Sequence, residues 1–160
     1  MAFGLSLAAF TQAHVVVSLV GIVSGLIMIA GMIRGKCLEG WTKTFLVSTV
    51  LTCLTGFLFP FHGVTPAIVL GVLTLIALLL ADVALFGREL SGRWRGVFAI
   101  SAVVAEYFNV FVLVAQLFAK VPALKAVAPT QASPLFGAAQ LVVLALFVAL
   151  GVLAFKRLKA

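Results

Sequence analysis

Five long apolar stretches run through the chain, and short segments rich in charged or turn-forming residues separate them. They cover residues 14–33, 44–61, 67–86, 96–119 and 135–155. A helix needs about 20 mainly apolar residues to cross the hydrocarbon core of a bilayer. The pattern therefore predicts an all-α fold, a bundle of five transmembrane helices in a single domain over residues 1–160. Residues 1–13 are also apolar, but they would make the first span too long, so we expect an interfacial segment there.

Polar and small residues recur every three or four positions inside these spans, which places them on one helix face. In the first span Gly21 and Gly25 form a G-x-x-x-G pair, a pattern typical of helix faces that pack closely in membranes. In the second span Ser48, Thr52, Thr55, Phe59 and His62 share a face if the helix continues past Pro60. Because consecutive spans run in opposite directions, we expect His14 and His62 at the same level.

Composition excludes a soluble domain, because 64% of the 160 residues are hydrophobic and only 9% are charged. Soluble domains average about 25% charged residues. The formal charge of +7 comes from basic clusters between spans, which argues against a nucleic-acid surface. Alternating spans put nine basic residues on one side and two, Lys120 and Lys125, on the other. The positive-inside rule then predicts an outside N-terminus and a cytoplasmic C-terminus.

Three segments resemble a family of small polytopic inner-membrane proteins of bacteria. They are GFLFPFHG at 56–63, YFNVFV at 107–112 and KVPALK at 120–125. The resemblance implies a bacterial source and a multi-pass location in the inner (cytoplasmic) membrane. It brings no activity with it.

The two histidines define the first candidate site. We expect His14, His62, Gln116 and Gln140 near the outer end of the bundle, with Phe59 beside them. Two imidazoles at one depth are suitable axial ligands for haem b, and they could equally hydrogen-bond a quinone. The alternative is that both histidines only cap helices at the water interface. A metal ion is disfavoured, because two histidines without a carboxylate or thiolate leave it underligated.

Glu106 defines the second candidate site, because it lies near the middle of the fourth span. A charge there costs about 2.5–3.5 kcal/mol, so intramembrane carboxyl groups are functional candidates. We expect a neutral acid that donates to Thr52 or Thr55, with Asn109 extending the polar line outward. Asp82 lies near the inner end of the third span, where it could belong to a proton or ion pathway or pair with Arg34 or Arg93. The other possibility for Glu106 is a purely structural hydrogen bond between helices.

These sites leave three functions open. The first is a redox or respiratory accessory protein that binds haem b or quinone and takes part in electron transfer. The second is a proton- or ion-coupled small transporter or channel, and the third is a structural accessory subunit of a larger membrane complex. No hydrolase, phosphate-binding or zinc-protease motif occurs in the sequence, which disfavours an enzyme. The first is favoured because the histidines, glutamines and aromatic residues are expected at one depth. The expected partners are the lipid bilayer and either a larger complex or further copies of the chain.

Overall fold

A computed structural model describes residues 6–60 and 65–158, and every regular element in this part of the chain is helical. The prediction of an all-α fold is thereby confirmed. The helices are α1 (Leu7–Ile33), α2 (Glu39–Phe57), α3 (Pro66–Asp82), α4 (Trp94–Lys120), α5 (Pro122–Val127) and α6 (Pro134–Arg157).

Helix α1 begins seven residues earlier than the predicted first span. The Ser6 hydroxyl accepts a hydrogen bond from the Ala9 amide at 3.2 Å and caps the helix. Phe10 is buried, with its ring centroid 5.0 Å from that of Phe59. Residues 7–13 are therefore helical and continuous with the first span, whereas their expected position at the membrane interface stays a prediction; residues 1–5 lie outside the described part. The helix has 27 residues, about 40 Å at 1.5 Å per residue.

Helix α2 is displaced from the predicted span 44–61 at both ends. It starts at Glu39 and ends at Phe57, where Leu58 and Phe59 close a tighter final turn through their amides. The residue before a proline is disfavoured in a helical conformation, so Pro60 accounts for the early end. The helix therefore does not continue to His62, which lies outside the described residues.

Helix α3 continues without a break into one wider π-helical turn, Val83–Gly87. The chain then reverses through Glu89, Leu90 and Gly92, all with positive φ. The reversal is held by Arg95, whose Nε donates to the Leu90 carbonyl at 3.0 Å. Arg88 lies over the Trp94 ring at 5.2 Å, a cation–π contact at the start of α4.

Helix α4 is the central element of the bundle, because it contacts α1, α3 and α6. Its N-terminal half contributes wholly buried residues to the main core: Phe98, Ala99, Ala102 and Ala105. The outward faces of the bundle carry exposed leucines and valines, such as Leu79 on α3 and Leu141 on α6. Apolar side chains on both the inside and the outside are the arrangement expected in lipid.

Within residues 6–60 and 65–158, four helical segments are long and apolar enough to cross a membrane: Leu7–Ile33, Pro66–Gly87, Trp94–Lys120 and Pro134–Arg157. This is the composition of a multi-pass membrane protein. Helix α2 is not among them, because Glu39, Lys43 and six hydroxyl side chains lower its hydropathy.

Replacing Phe98 with Ala should lower the stability of the bundle. The side chain has no exposed surface, so truncation leaves a cavity, and in protein cores such changes cost about 3–5 kcal/mol. Leu79→Ala is the matched control, since that side chain is 63% exposed on the outer face and should change stability little. Thermal unfolding in detergent gives the melting temperature of each variant. Equal melting temperatures would contradict the burial of Phe98 in the core.

Candidate functional site

Two glycines of α1 create the space in which the buried polar groups meet. A Cβ atom on Gly21 would lie 3.2 Å from Thr49 Oγ1 and 3.3 Å from Ser48 Oγ of α2. A Cβ atom on Gly25 would lie 2.5 Å from Glu106 Oε2 and 2.8 Å from the Phe45 ring. The G-x-x-x-G face therefore packs against both α2 and α4, as its spacing predicted.

Glu106 lies in the gap that Gly25 leaves. It is the thirteenth of the 27 residues of α4, so it lies close to the middle of that helix, and it has no exposed surface. Its Oε2 accepts a hydrogen bond from Asn109 Nδ2 at 3.3 Å, and the same nitrogen donates to Thr49 Oγ1 at 3.1 Å. Asn109 thus joins the carboxyl group to the α2 hydroxyl.

The hydrogen-bonding partner differs from the predicted Thr52 or Thr55. Thr52 Oγ1 donates to the Ser48 carbonyl at 2.9 Å, and the Thr55 hydroxyl donates to the Leu51 carbonyl at 2.6 Å. The reason is the start of α2. Because α2 begins at Glu39 instead of residue 44, the level of Glu106 corresponds to residues nearer the α2 N-terminus.

Glu106 has no opposite charge to balance it within the described part of the chain. The one salt bridge found there joins Lys43 and Glu39 at 3.5 Å on the exposed side of α2. The second carboxyl oxygen, Oε1, is buried and forms no hydrogen bond with the described residues. An ionised carboxylate in this position would be expensive, so the neutral acid is the stable form.

Asp82 occupies a different environment at the last residue of α3. It is half-buried, and among the described residues it forms no salt bridge with Arg34 or Arg93. The expected ion pair is therefore not formed.

His14 lies near the N-terminal end of α1 and faces α2. Its Nδ1 is 2.8 Å from Thr55 Oγ1, and its ring meets the Phe59 ring edge to face at 5.2 Å. When the single hydroxyl hydrogen of Thr55 lies on the Leu51 carbonyl, Nδ1 of His14 is the donor in this pair. In the neutral ring the Nε2 lone pair is then available to accept a proton or to bind a ligand.

Of the other predicted members of the histidine site, Phe59 lies beside His14, whereas the two glutamines do not hydrogen-bond it in the described part of the chain. Gln116 is exposed. Gln140 of α6 is buried and donates to the Phe111 carbonyl of α4 at 3.1 Å, so it serves the contact between α4 and α6. Neither glutamine hydrogen-bonds His14 within residues 6–60 and 65–158. His62 lies outside those residues, so the pairing of the two histidines stays a prediction.

Sequence reasoning missed Thr49 as the α2 residue of the Glu106 site. Its spacing from Thr52 was a usable signal, but the face was assigned from Ser48, Thr52 and Thr55. The glycine pair was recognised as a packing face, yet the identity of the group facing Gly25 depends on how α4 is arranged around α1.

Comparison with known proteins finds no matching family model, no matching curated protein and no matching solved structure. No group of three His, Cys, Asp or Glu side chains suited to a metal ion occurs in the described ranges. The chemistry of the site therefore has to be inferred from its own residues, a neutral carboxyl group, an amide and hydroxyls enclosed by apolar helices.

Adding a methyl group at position 25 should show how tightly Gly25 and Glu106 fit. Gly25→Ala places Cβ 2.5 Å from Oε2, and overpacking of this kind typically costs about 1–3 kcal/mol. In the Gly25→Ala, Glu106→Ala double variant the obstructing carboxyl is gone, so the two effects should be less than additive. Unfolding of all four proteins in detergent gives the coupling energy. Additive effects would contradict the contact.

Proposed function

We propose that this protein crosses the membrane five times, with its N-terminus outside and its C-terminus in the cytoplasm. Helix α2 is the span added to the four apolar ones, because it packs along α1 and contributes Thr49 to the buried polar site. Its 19 residues extend about 28 Å, close to the ~30 Å of a hydrocarbon core. The uneven distribution of Lys and Arg supports the orientation. The bacterial inner membrane, implied by sequence resemblance, belongs to the same proposal.

The proposed activity is proton transfer through the bundle, with Glu106 as the group that binds and releases the proton. The observation that carries this proposal is a wholly buried carboxyl group at mid-helix, one oxygen of which forms no hydrogen bond with any described residue. A carboxyl group with a purely structural role would be expected to form hydrogen bonds through both oxygens, because an unsatisfied buried polar atom destabilises a protein. An oxygen without a neighbouring donor is open to take up a proton, and among the buried oxygens without a described partner only that of Glu106 belongs to a titratable group.

Side chains on α2 supply polar steps between Glu106 and the outer end. Thr49 is joined to Glu106 through Asn109, and Thr52 and Thr55 follow at the next turns. Thr55 contacts His14, about 9 Å along the helix axis from Thr49. Imidazole changes its protonation state near neutral pH, so His14 is suited to exchange protons with the outer solution.

Glu106→Gln should abolish proton transfer, because the amide has nearly the same volume but does not titrate. We expect purified protein in liposomes to acidify the lumen under an imposed membrane potential, and the Gln variant to match empty liposomes. Glu106→Asp should retain part of the flux. Trapped pH-sensitive dye provides the measurement.

Glu39→Gln is the matched control for this experiment. That carboxylate is exposed at the start of α2 and forms only the surface salt bridge with Lys43, so its removal should leave the flux unchanged. The proposal is wrong if the wild type carries no flux, or if Glu106→Gln conducts as well as the wild type. In that case a structural subunit becomes the better description.

Ligand binding at His14 is the second candidate function. The donor role of Nδ1 toward Thr55 leaves Nε2 as the nitrogen for an axial bond to haem b or a hydrogen bond to a quinone. Metal-bound histidines usually have their other nitrogen held in this way. Phe10 and Phe59 add aromatic surface beside the ring. This candidate requires His62 as the second ligand for haem.

A haem-binding protein should show a Soret absorption band after haem is added to the detergent-purified sample. His14→Ala and His62→Ala should each remove the band, because each removes an axial ligand. Gln12→Ala, an exposed neighbour on α1, should retain it. A wild-type spectrum without the band eliminates haem at this site and leaves the proton-transfer proposal unaffected.

A further inference from the structure

A groove opens on the outer surface of the bundle between α3 and α4, near the end of α6. Its volume is about 940 Å³. Leu73, Ile76 and Leu80 of α3 line one wall, and Ile100, Val104 and Phe108 of α4 line the other. Arg93 and Arg95 line one end of the same groove. It is therefore apolar along its length and basic at a single end.

The length of the groove matches one leaflet of a bilayer. From Arg93, directly before α4, to Phe108 the chain advances fifteen residues, about 22 Å in a helix. Half of a bilayer, with its headgroup layer, measures about 20–22 Å. A lipid chain that starts at the arginine end would therefore reach the other end of the groove near the bilayer centre.

The arginine end is arranged to receive a negative group. Arg93 is exposed, and the Nε bond from Arg95 to the Leu90 carbonyl leaves the terminal nitrogens of that guanidinium free to bind a phosphate. The glycines at positions 92 and 96 both line this end, and neither Asp82 nor Glu89 does. The charge at the end of the groove is thus positive.

We infer that this groove binds one anionic glycerophospholipid, with its phosphate on Arg93 and Arg95 and an acyl chain along α3 and α4. In the proposed orientation the lipid comes from the cytoplasmic leaflet. A second copy of the chain fits less well, since the protein has 11 basic and 4 acidic residues. Parallel copies would bring basic ends together at the same level. The inference does not depend on proton transfer by Glu106.

Native mass spectrometry of delipidated protein tests the inference by counting bound lipids during titration. Dioleoyl phosphatidylglycerol should bind at one site more tightly than dioleoyl phosphatidylcholine, which has the same chains and no net charge. Arg93→Gln should weaken the first phosphatidylglycerol about fivefold. Leu73→Trp should weaken the first binding event, because the larger indole narrows the apolar part of the groove away from the arginines.

Each variant has a matched control outside the groove. Arg34→Gln removes the same charge from the loop after α1, and Leu79→Trp adds the same bulk to an exposed α3 position outside the groove. Both should bind phosphatidylglycerol like the wild type. Glycerol phosphate without acyl chains should not compete, which separates a lipid from a free phosphate.

Three results would overturn the inference. Equal binding of the two lipids removes the role of the arginines, and equal losses in Arg93→Gln and Arg34→Gln show a diffuse charge effect. A dimer that Leu73→Trp dissociates while lipid binding is unaffected assigns the groove to a second copy. Circular dichroism of each variant confirms that it has retained its helices before these comparisons are made.

Discussion

The close approach of α1 to α2 and α4 at Gly21 and Gly25 is the contact on which the polar interior depends. In lipid, apolar side chains gain little by leaving their solvent for a helix interface, so close packing and hydrogen bonds have to hold helices together. The glycines allow this packing, because any side chain at position 25 would occupy the volume of the Glu106 carboxyl group. Thr49, Asn109 and Glu106 then supply the hydrogen bonds across the same interface.

Polar groups are concentrated along one side of α2, and this explains its unusual composition. Ser48 and Thr49 are buried against α1, whereas Val47 and Leu54 are exposed on the outer surface. Most α2 hydroxyls donate hydrogen bonds to backbone carbonyls one turn earlier in the same helix. A helix with so many hydroxyls is less apolar than its neighbours, yet it can lie in a membrane when those groups face other helices.

The basic ends of the helices have a separate role from the buried carboxyl group. Arg88 and Arg95 organise the turn before α4, one on the Trp94 ring and the other on the Leu90 carbonyl. This turn places Arg93 and Arg95 at the mouth of an apolar groove. The same arginines therefore contribute to the uneven charge that predicts the membrane orientation and to the basic end of the inferred lipid site.

The amino-acid sequence by itself determined the all-helical fold, most of the apolar segments, the packing role of Gly21 and Gly25 and the mid-helix depth of Glu106. These follow from hydropathy and helical period, which are local properties. The tertiary structure alone decided that Asn109 and Thr49 are the polar partners near Glu106. It also decided that Gln140 of α6 hydrogen-bonds the Phe111 carbonyl of α4. Such partners depend on where each helix begins, since a start five residues earlier moves α2 by more than one turn against α4.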